Sequence, residues 1–240
     1  MVEIGGVAHH YQGDRALLQR PKVAIVGSRR PLNYTKAKTL ELAAKLAQKG
    51  YVIVSGGAMG VDALAHRGAG AANTIAVLGG GIDIYYPATN KELLASIAKE
   101  GLLLSRFEPG FRPTRWSFVV RNETVVELGE YLIITQADRD SGSMRSAEIA
   151  LEKGKKIYVF PHRLGESEGT NDLVRRGLAE VIWDIDAFVG IDSDDPFVSY
   201  LKSSPLYQEA VQRYGAQIFE AELAGLIAVH NGRIVYKGKQ

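Results

Sequence analysis

Apolar residues fall into short runs that begin near residues 23, 51, 74, 102, 131, 157 and 180. A run such as Val23–Val26, apolar at every position, reads as a strand buried on both faces, which a parallel sheet covered by helices requires. The intervals of 23 to 29 residues hold helix-compatible segments. They suit successive βα units, whereas β-hairpins need much shorter spacing. The expected fold is α/β, a doubly wound and mostly parallel sheet. In the first helix Asn33 is placed to cap the start, Ala37, Leu40, Ala44 and Ala47 recur at helical spacing, and Gly50 can end it. Thr89 and Glu92 have capping-box spacing for a later helix.

The ends of the chain break this pattern. Residues 1–21 lack clear periodicity and stop at Pro21, so they read as a lead-in to a main domain over 22–190. Asp184–Asp195 is acidic and gives way to Pro196, which marks a linker over 191–202. The remainder, 203–240, reads as helices around Tyr207–Tyr214 and Ile218–Leu223, then a hairpin turning at Asn231-Gly232. Helices followed by a two-stranded wing suggest a reduced winged-helix module. With few cations besides Lys237 and Lys239, it suits protein contact or stabilisation at least as well as duplex DNA.

Candidate chemistry lies where strands open into loops, because ligands of open α/β sheets bind at the carboxyl ends of strands, where strand order reverses. After the first run, Gly27 permits close approach, Ser28 offers a hydroxyl, and Arg29 with Arg30 offers cations to an anion. The same turn is also ordinary punctuation with a solvated rim. Ser55-Gly-Gly-Ala-Met-Gly60 forms a second cradle facing the free amides of a new helix, though its glycines equally serve tight helix packing. Gly79-Gly80-Gly81 makes a third glycine loop at this edge, and Ser141-Gly142-Ser143 is a helix start suited to an anion or to capping. Asp62 and His66, at i and i+4, read as a local hydrogen bond rather than a catalytic pair. The Rossmann GxGxxG with its later acidic residue is missing, which argues against an ordinary dinucleotide enzyme.

Between residues 106 and 121, Arg106, Arg112, Arg115 and Arg121 are interleaved with Phe107, Phe111, Trp116 and Phe118. Cations beside flat rings are what a nucleic-acid single strand requires, since its backbone needs countercharge and its unpaired bases need stacking platforms. Each ring taken singly also reads as a core anchor.

Composition narrows the options. The chain has 240 residues, 46% of them hydrophobic, enough for one large core. Without cysteine there are no disulfides, thiolate metal sites or thiol nucleophiles. The five histidines are scattered apart from His9-His10 and show no metal-ligand spacing, so neither metal nor cofactor is expected. The start, MVEIGGVAHHYQGD, is not a secretory signal, and no run approaches the ~18 apolar residues of a membrane span. The expected location is cytoplasmic, with no membrane partner. A net charge of +2 does not announce nucleic-acid binding, which must come from local placement of Arg and Lys.

Gly27-Ser28-Arg29, the stretch Ser55–His66, Leu78-Gly-Gly-Gly-Ile-Asp83, Tyr86-Pro87, Arg121-Asn122, Ser141-Gly-Ser143 and Ser167-Glu-Gly-Thr-Asn171 occur in that order. Together they resemble the DNA-processing protein A (DprA/Smf) family of natural transformation, over residues 22 to 183. The tail resembles that family's small C-terminal winged-helix-like domain. The resemblance implies an extended Rossmann fold that dimerises, binds incoming single-stranded DNA in a basic pocket without enzymatic activity, and hands it to the RecA recombinase. It sets the pocket on Ser28, Arg29, the Gly56-Gly57 loop and Arg115–Phe118. With the neighbouring residues, the candidate nucleic-acid site comprises Gly27, Ser28, Arg29, Gly56, Gly57, Met59, Arg112, Arg115, Phe118, Arg121, Asn122, Gly142 and Ser143.

Three features depart from the family pattern. Arg121-Asn122-Glu123 replaces the common Arg-Asn-Arg, Pro161-His162 replaces Pro-Gly, and, with about twenty residues ahead of the first strand, the helical N-terminal domain of many relatives is not expected. No nucleophile, base and oxyanion set can be assembled. The competing reading is a nucleotide-processing enzyme like the lysine-decarboxylase-like phosphoribohydrolases, whose characteristic Pro-Gly-Gly-x-Gly-Thr is missing.

Overall fold

The computed structural model describes residues 1–190 and 196–237. The chain divides into two compact units, Met1–Ile185 and Asp186–Gln240. In the first unit the elements follow in the order β1 (Val2–Ile4), β2 (Val7–Gly13), β3 (Lys22–Val26), α1 (Asn33–Gln48), β4 (Val52–Ser55), α2 (Val61–Ala69) and β5 (Thr74–Leu78). They continue with α3 (Lys91–Glu100), β6 (Leu102–Ser105), α4 (Arg115–Leu128), β7 (Leu132–Ile134), α5 (Gly142–Glu152), β8 (Ile157–Val159), α6 (Glu168–Arg175) and β9 (Glu180–Val181), with α7 (Ile185–Val189) crossing the boundary between units.

The apolar runs become one nine-stranded sheet in the order β1-β2-β6-β5-β4-β3-β7-β8-β9. From β6 to β9 all pairings are parallel. The chain winds outward from β3 through β4 and β5 to β6, then returns to β7 on the other side of β3. The result is a doubly wound, Rossmann-like sheet whose strand order reverses between β3 and β7. Alternate strand residues serve opposite layers. Ala24, Val26, Val54 and Val77 pack with Val125 and Val126 of α4 and Ala147 and Ala150 of α5, whereas Ala76, Leu78 and Leu103 pack with Leu94 and Ile97 of α3. Each large aliphatic side chain so buried contributes about 1.5–3 kcal/mol.

The N-terminal segment departs from expectation. Residues 2–13 are not a lead-in but an antiparallel pair, and β2 extends the sheet by pairing antiparallel to β6, Tyr11 opposite Leu104. Residues 7–9 pair with the short β1 and residues 10–13 with β6, so each half of β2 has a neighbour on one side only, and Val-Ala-His-His-Tyr-Gln-Gly carries no long apolar run to betray the strand. Two helix starts also differ. Leu32, not Asn33, precedes α1, and its N–H donates to Gln136 Oε1 (2.9 Å), as does the Thr35 hydroxyl (2.9 Å). Thr89 and Glu92 form no capping box; the residue before α3 is Asn90, whose amide donates to the carbonyls of Gly57 and Ala58, each at 3.0 Å. Gly50, with φ of 90°, ends α1 as expected.

Buried His66 sits with Nδ1 2.6 Å from Thr74 Oγ1, and burial together with the Arg121 charge pushes its pKa down to about 3. Burial also lowers His9. Both are therefore neutral when folded, while the unfolded chain takes up these protons below about pH 6.5. Between that pH and the folded value the unfolded state binds more protons, so stability falls as pH falls, by at most about 1.4 kcal/mol per pH unit per histidine. The melting temperature is expected to drop between pH 7 and pH 5, and to drop less in His66→Gln. Equal slopes for parent and variant in calorimetry would remove His66 as the cause.

The second unit holds α8 (Pro196–Lys202), α9 (Tyr207–Tyr214), α10 (Ala216–Leu223) and the hairpin β10 (Ile227–His230) with β11 (Arg233–Tyr236). Leu201, Ala210, Ile218, Ala221, Ile227 and Ile234 form its own core. Asn231 and Gly232, with φ of 50° and 74°, make the hairpin turn the sequence predicts. The expected linker is in part α8; residues 191–195 lie outside the described residues.

Candidate functional site

At the β3/β7 reversal lies a cavity of about 560 Å³. Three loops and helix starts converge on it: Gly27, Ser28 and Arg29 after β3, Arg115, Phe118, Arg121 and Asn122 from α4, and Gly142 and Ser143 at the start of α5. A hollow of about 20 Å³ shares Arg29, Ala58 and Phe118 with it and adds Gly56, Met59 and Tyr86. Of the sequence-predicted residues, Gly57 and Arg112 line neither space. The carbonyl of Gly57 is instead held by Asn90, and Arg112 is exposed on the loop before α4.

Backbone bonds fix the loops against one another. Ser28 N–H donates to the Gln136 carbonyl (2.8 Å), and the Ser28 carbonyl accepts from Val61 N–H (3.0 Å), so the β3 loop is tied to the β7 loop and to α2. Gly60, at the start of α2 with φ of 78°, lies where an added Cβ would come within 2.3 Å of the Ser28 carbonyl oxygen. Only glycine fits there. The Ser28 hydroxyl accepts from Arg30 N–H (3.1 Å), a local turn that presents the Arg29-Arg30 pair.

The interleaved Arg and aromatic residues do not form one surface. Arg115–Leu128 is a helix, opened by a capping box between Thr114 and Ser117, so positions 115, 118, 119 and 122 share a face and line the cavity. Phe107 and Phe111 stack at 4.7 Å, with Trp116 edge-on at 5.6 and 5.8 Å, away from the cavity lining. Arg106 pairs with Glu123 at 2.7 Å. Neither residue of that pair lines the cavity. The Gly79–Gly81 loop is likewise a support, its Gly79 carbonyl accepting from Ser117 Oγ (2.6 Å).

Arg121 is a correction to the cationic reading. It is 5% exposed, and its guanidinium donates to the carbonyls of Gly56 and Val77 (2.9 Å for the latter) and to Asn122 Oδ1 (3.1 Å). Its charge faces buried Asp62, whose carboxyl burial pushes upward while Arg121 and the Ala58 amide oppose that shift. A Cβ on Gly56 would overlap the guanidinium, which is why glycine stands there. Arg121 is the floor of the site, joining β4, β5 and α4. Asp62 and His66 do not bond to each other; Asp62 accepts from Ala58 N–H (3.3 Å) and His66 partners Thr74. Among residues open to a ligand, Arg29 and Arg115 remain as cations, with Phe118 between the two hollows and the Arg29 guanidinium 5.7 Å from its ring centre. Asp62, Asp138, Ser141 and Ser146 also line the cavity. Sequence reasoning did not assign Ser146, although it stands one turn after Gly142, at i+4 on the same helical face. Among the described residues, no cluster of His, Cys, Asp or Glu could hold a metal, and no helix is long and apolar enough to cross a membrane.

Residues 7–191 match the family model described as DNA recombination-mediator protein A. DNA processing protein DprA of Streptococcus pneumoniae is 37% identical over 171 residues, covering 70% of this chain and 60% of that one; the Bacillus subtilis protein is 37% identical over 177 residues, covering 72% and 59%. The chain thus spans about 60% of the length of these relatives. A structure of DNA processing protein A from Helicobacter pylori, described for its mode of binding single-stranded DNA, superposes with a TM-score of 0.74 at 45% identity, covering 76% of this chain and 85% of that one. The S. pneumoniae structure gives 0.71 at 34% identity, covering 76% and 65%. By its matched residues, its relatives and its fold, the chain belongs to the DNA recombination-mediator protein A family.

Proposed function

We propose that the cavity at the β3/β7 reversal binds single-stranded DNA, with Arg29 and Arg115 on phosphates and Phe118 as a stacking platform. The observation that carries this reading is the convergence of two exposed cations, one half-buried ring and a helix start on one hollow at the strand-order reversal. A base stacking on Phe118 displaces the Arg29 guanidinium from the ring and turns it toward the adjoining phosphate. The family resemblance supports the wider reading: a cytoplasmic homodimer that protects incoming DNA and loads RecA during natural transformation. The second unit is read as a reduced winged-helix-like module whose exposed Phe219 and Leu223 suit protein contact.

Anisotropy of labelled oligo-dT and of its duplex, titrated at several salt concentrations, tests the core of this. Tighter binding of the single strand, with log affinity falling linearly against log salt, is expected. Equal weak binding of both forms, or no salt dependence, overturns it.

A further inference from the structure

We infer that the start of α5 is a phosphate seat, and that Ser146, together with the Gly142 and Ser143 amides, holds one phosphodiester oxyanion of the bound strand. The inference rests on the single-strand reading above and deepens it by fixing which protein groups take a phosphate directly. Two independent features of the same spot carry it. The first is the helix start itself. α5 runs for eleven residues, and the N–H groups of Gly142 and Ser143, the first two of the helix, have no carbonyl four residues back within it. Ser141, which precedes them, makes no side-chain capping bond. Those amides, with the positive end of the helix dipole, face the cavity that Gly142 and Ser143 line.

The second feature is Ser146. It is 1% exposed, lines the same cavity, and its Oγ has no hydrogen-bond partner; the Ser141 Oγ lacks one as well. An unpaired buried hydroxyl costs free energy unless something meets it, and a hydroxyl needing an acceptor on a helix face shared with free amides fits an oxyanion. Asp138 also lines the cavity and repels such a group, so the seat depends on Arg29 and Arg115 to offset that carboxylate. The space beside Gly142 is open, since a Cβ there would meet nothing within 4 Å beyond its chain neighbours and its own helix backbone.

The test uses the full chain, inorganic phosphate and oligo-dT. In ¹H-¹⁵N spectra, phosphate is expected to move the Gly142 and Ser143 amides of the parent, and to move them less in Ser146→Ala. The same variant is expected to bind oligo-dT about 5- to 10-fold more weakly with an unchanged or higher melting temperature, since it loses a charge-assisted hydrogen bond and an unmet hydroxyl. Unmoved amides, or a Ser146→Ala variant equal to the parent in both phosphate response and affinity, overturns the seat. If the parent binds no oligo-dT at any salt, the single-strand reading fails by itself, and the phosphate titration still decides the seat.

Discussion

Arg121→Met is expected to destabilise the first unit by about 2–4 kcal/mol, because buried backbone carbonyls lose a charged donor and are left unsatisfied. The substitution leaves the carbonyls of Gly56 and Val77 without this donor, at the point where β4, β5 and α4 meet, and removes the cation whose field opposes the upward pKa shift that burial gives Asp62. Lysine does not replace it, because one ammonium cannot span the separate carbonyls that a planar guanidinium reaches together. Urea unfolding is the measurement. Asp62→Asn in the same chain removes the carboxyl on which the Arg121 field acts, so the double variant is expected to lose less than the two single losses combined. An Arg121→Met protein that unfolds at the parent's urea midpoint would refute the assignment of Arg121 as the floor of the site. DNA binding is expected to fall with it, through the displaced Gly56 loop.

Arg29→Ala and Arg115→Ala are expected to weaken oligo-dT binding about 10- to 100-fold each near physiological salt, as charge-assisted bonds worth about 1.5–3 kcal/mol are lost. Each also lowers the slope of log affinity against log salt by about 0.7, the share of one phosphate contact on a single strand. Neither side chain makes an ion pair with a described residue, so folding stability is expected to stay within about 0.5 kcal/mol of the parent's. Phe118→Ala removes the stacking platform, costing about 1–3 kcal/mol per base without changing the salt slope. That contrast separates ring from cation. If the arginine variants keep both the parent's affinity and its slope, the DNA path lies elsewhere on the molecule.

Much of this architecture was legible along the chain. Seven apolar runs at βα spacing predicted seven strands, and β3 through β9 start within a residue of those positions. Burial on both faces forces such strands to be apolar throughout, so their sequence announces them. Strands β1 and β2 escaped notice for the opposite reason: each half of β2 has a strand on one side only, and its buried His9 finds its partner in the Thr124 hydroxyl rather than in apolar packing. Helix caps were read from local residue type and missed where distant side chains took the role, as Gln136 does for α1.

The site divides along the same line. Its loops were visible because glycine beside serine and arginine at strand ends is local chemistry, and Gly27, Ser28, Arg29, Gly142 and Ser143 do share one cavity. Local residue patterns along the chain specify the seven parallel strands β3–β9, the loop-bearing edge and the family. Only the tertiary structure decided which arginines face a ligand, because charge type is a property of the residue whereas availability depends on partners far away in the chain. It turned Arg121 inward against Asp62, Gly56 and Val77, paired Arg106 with Glu123, and left Arg29 and Arg115 facing the hollow.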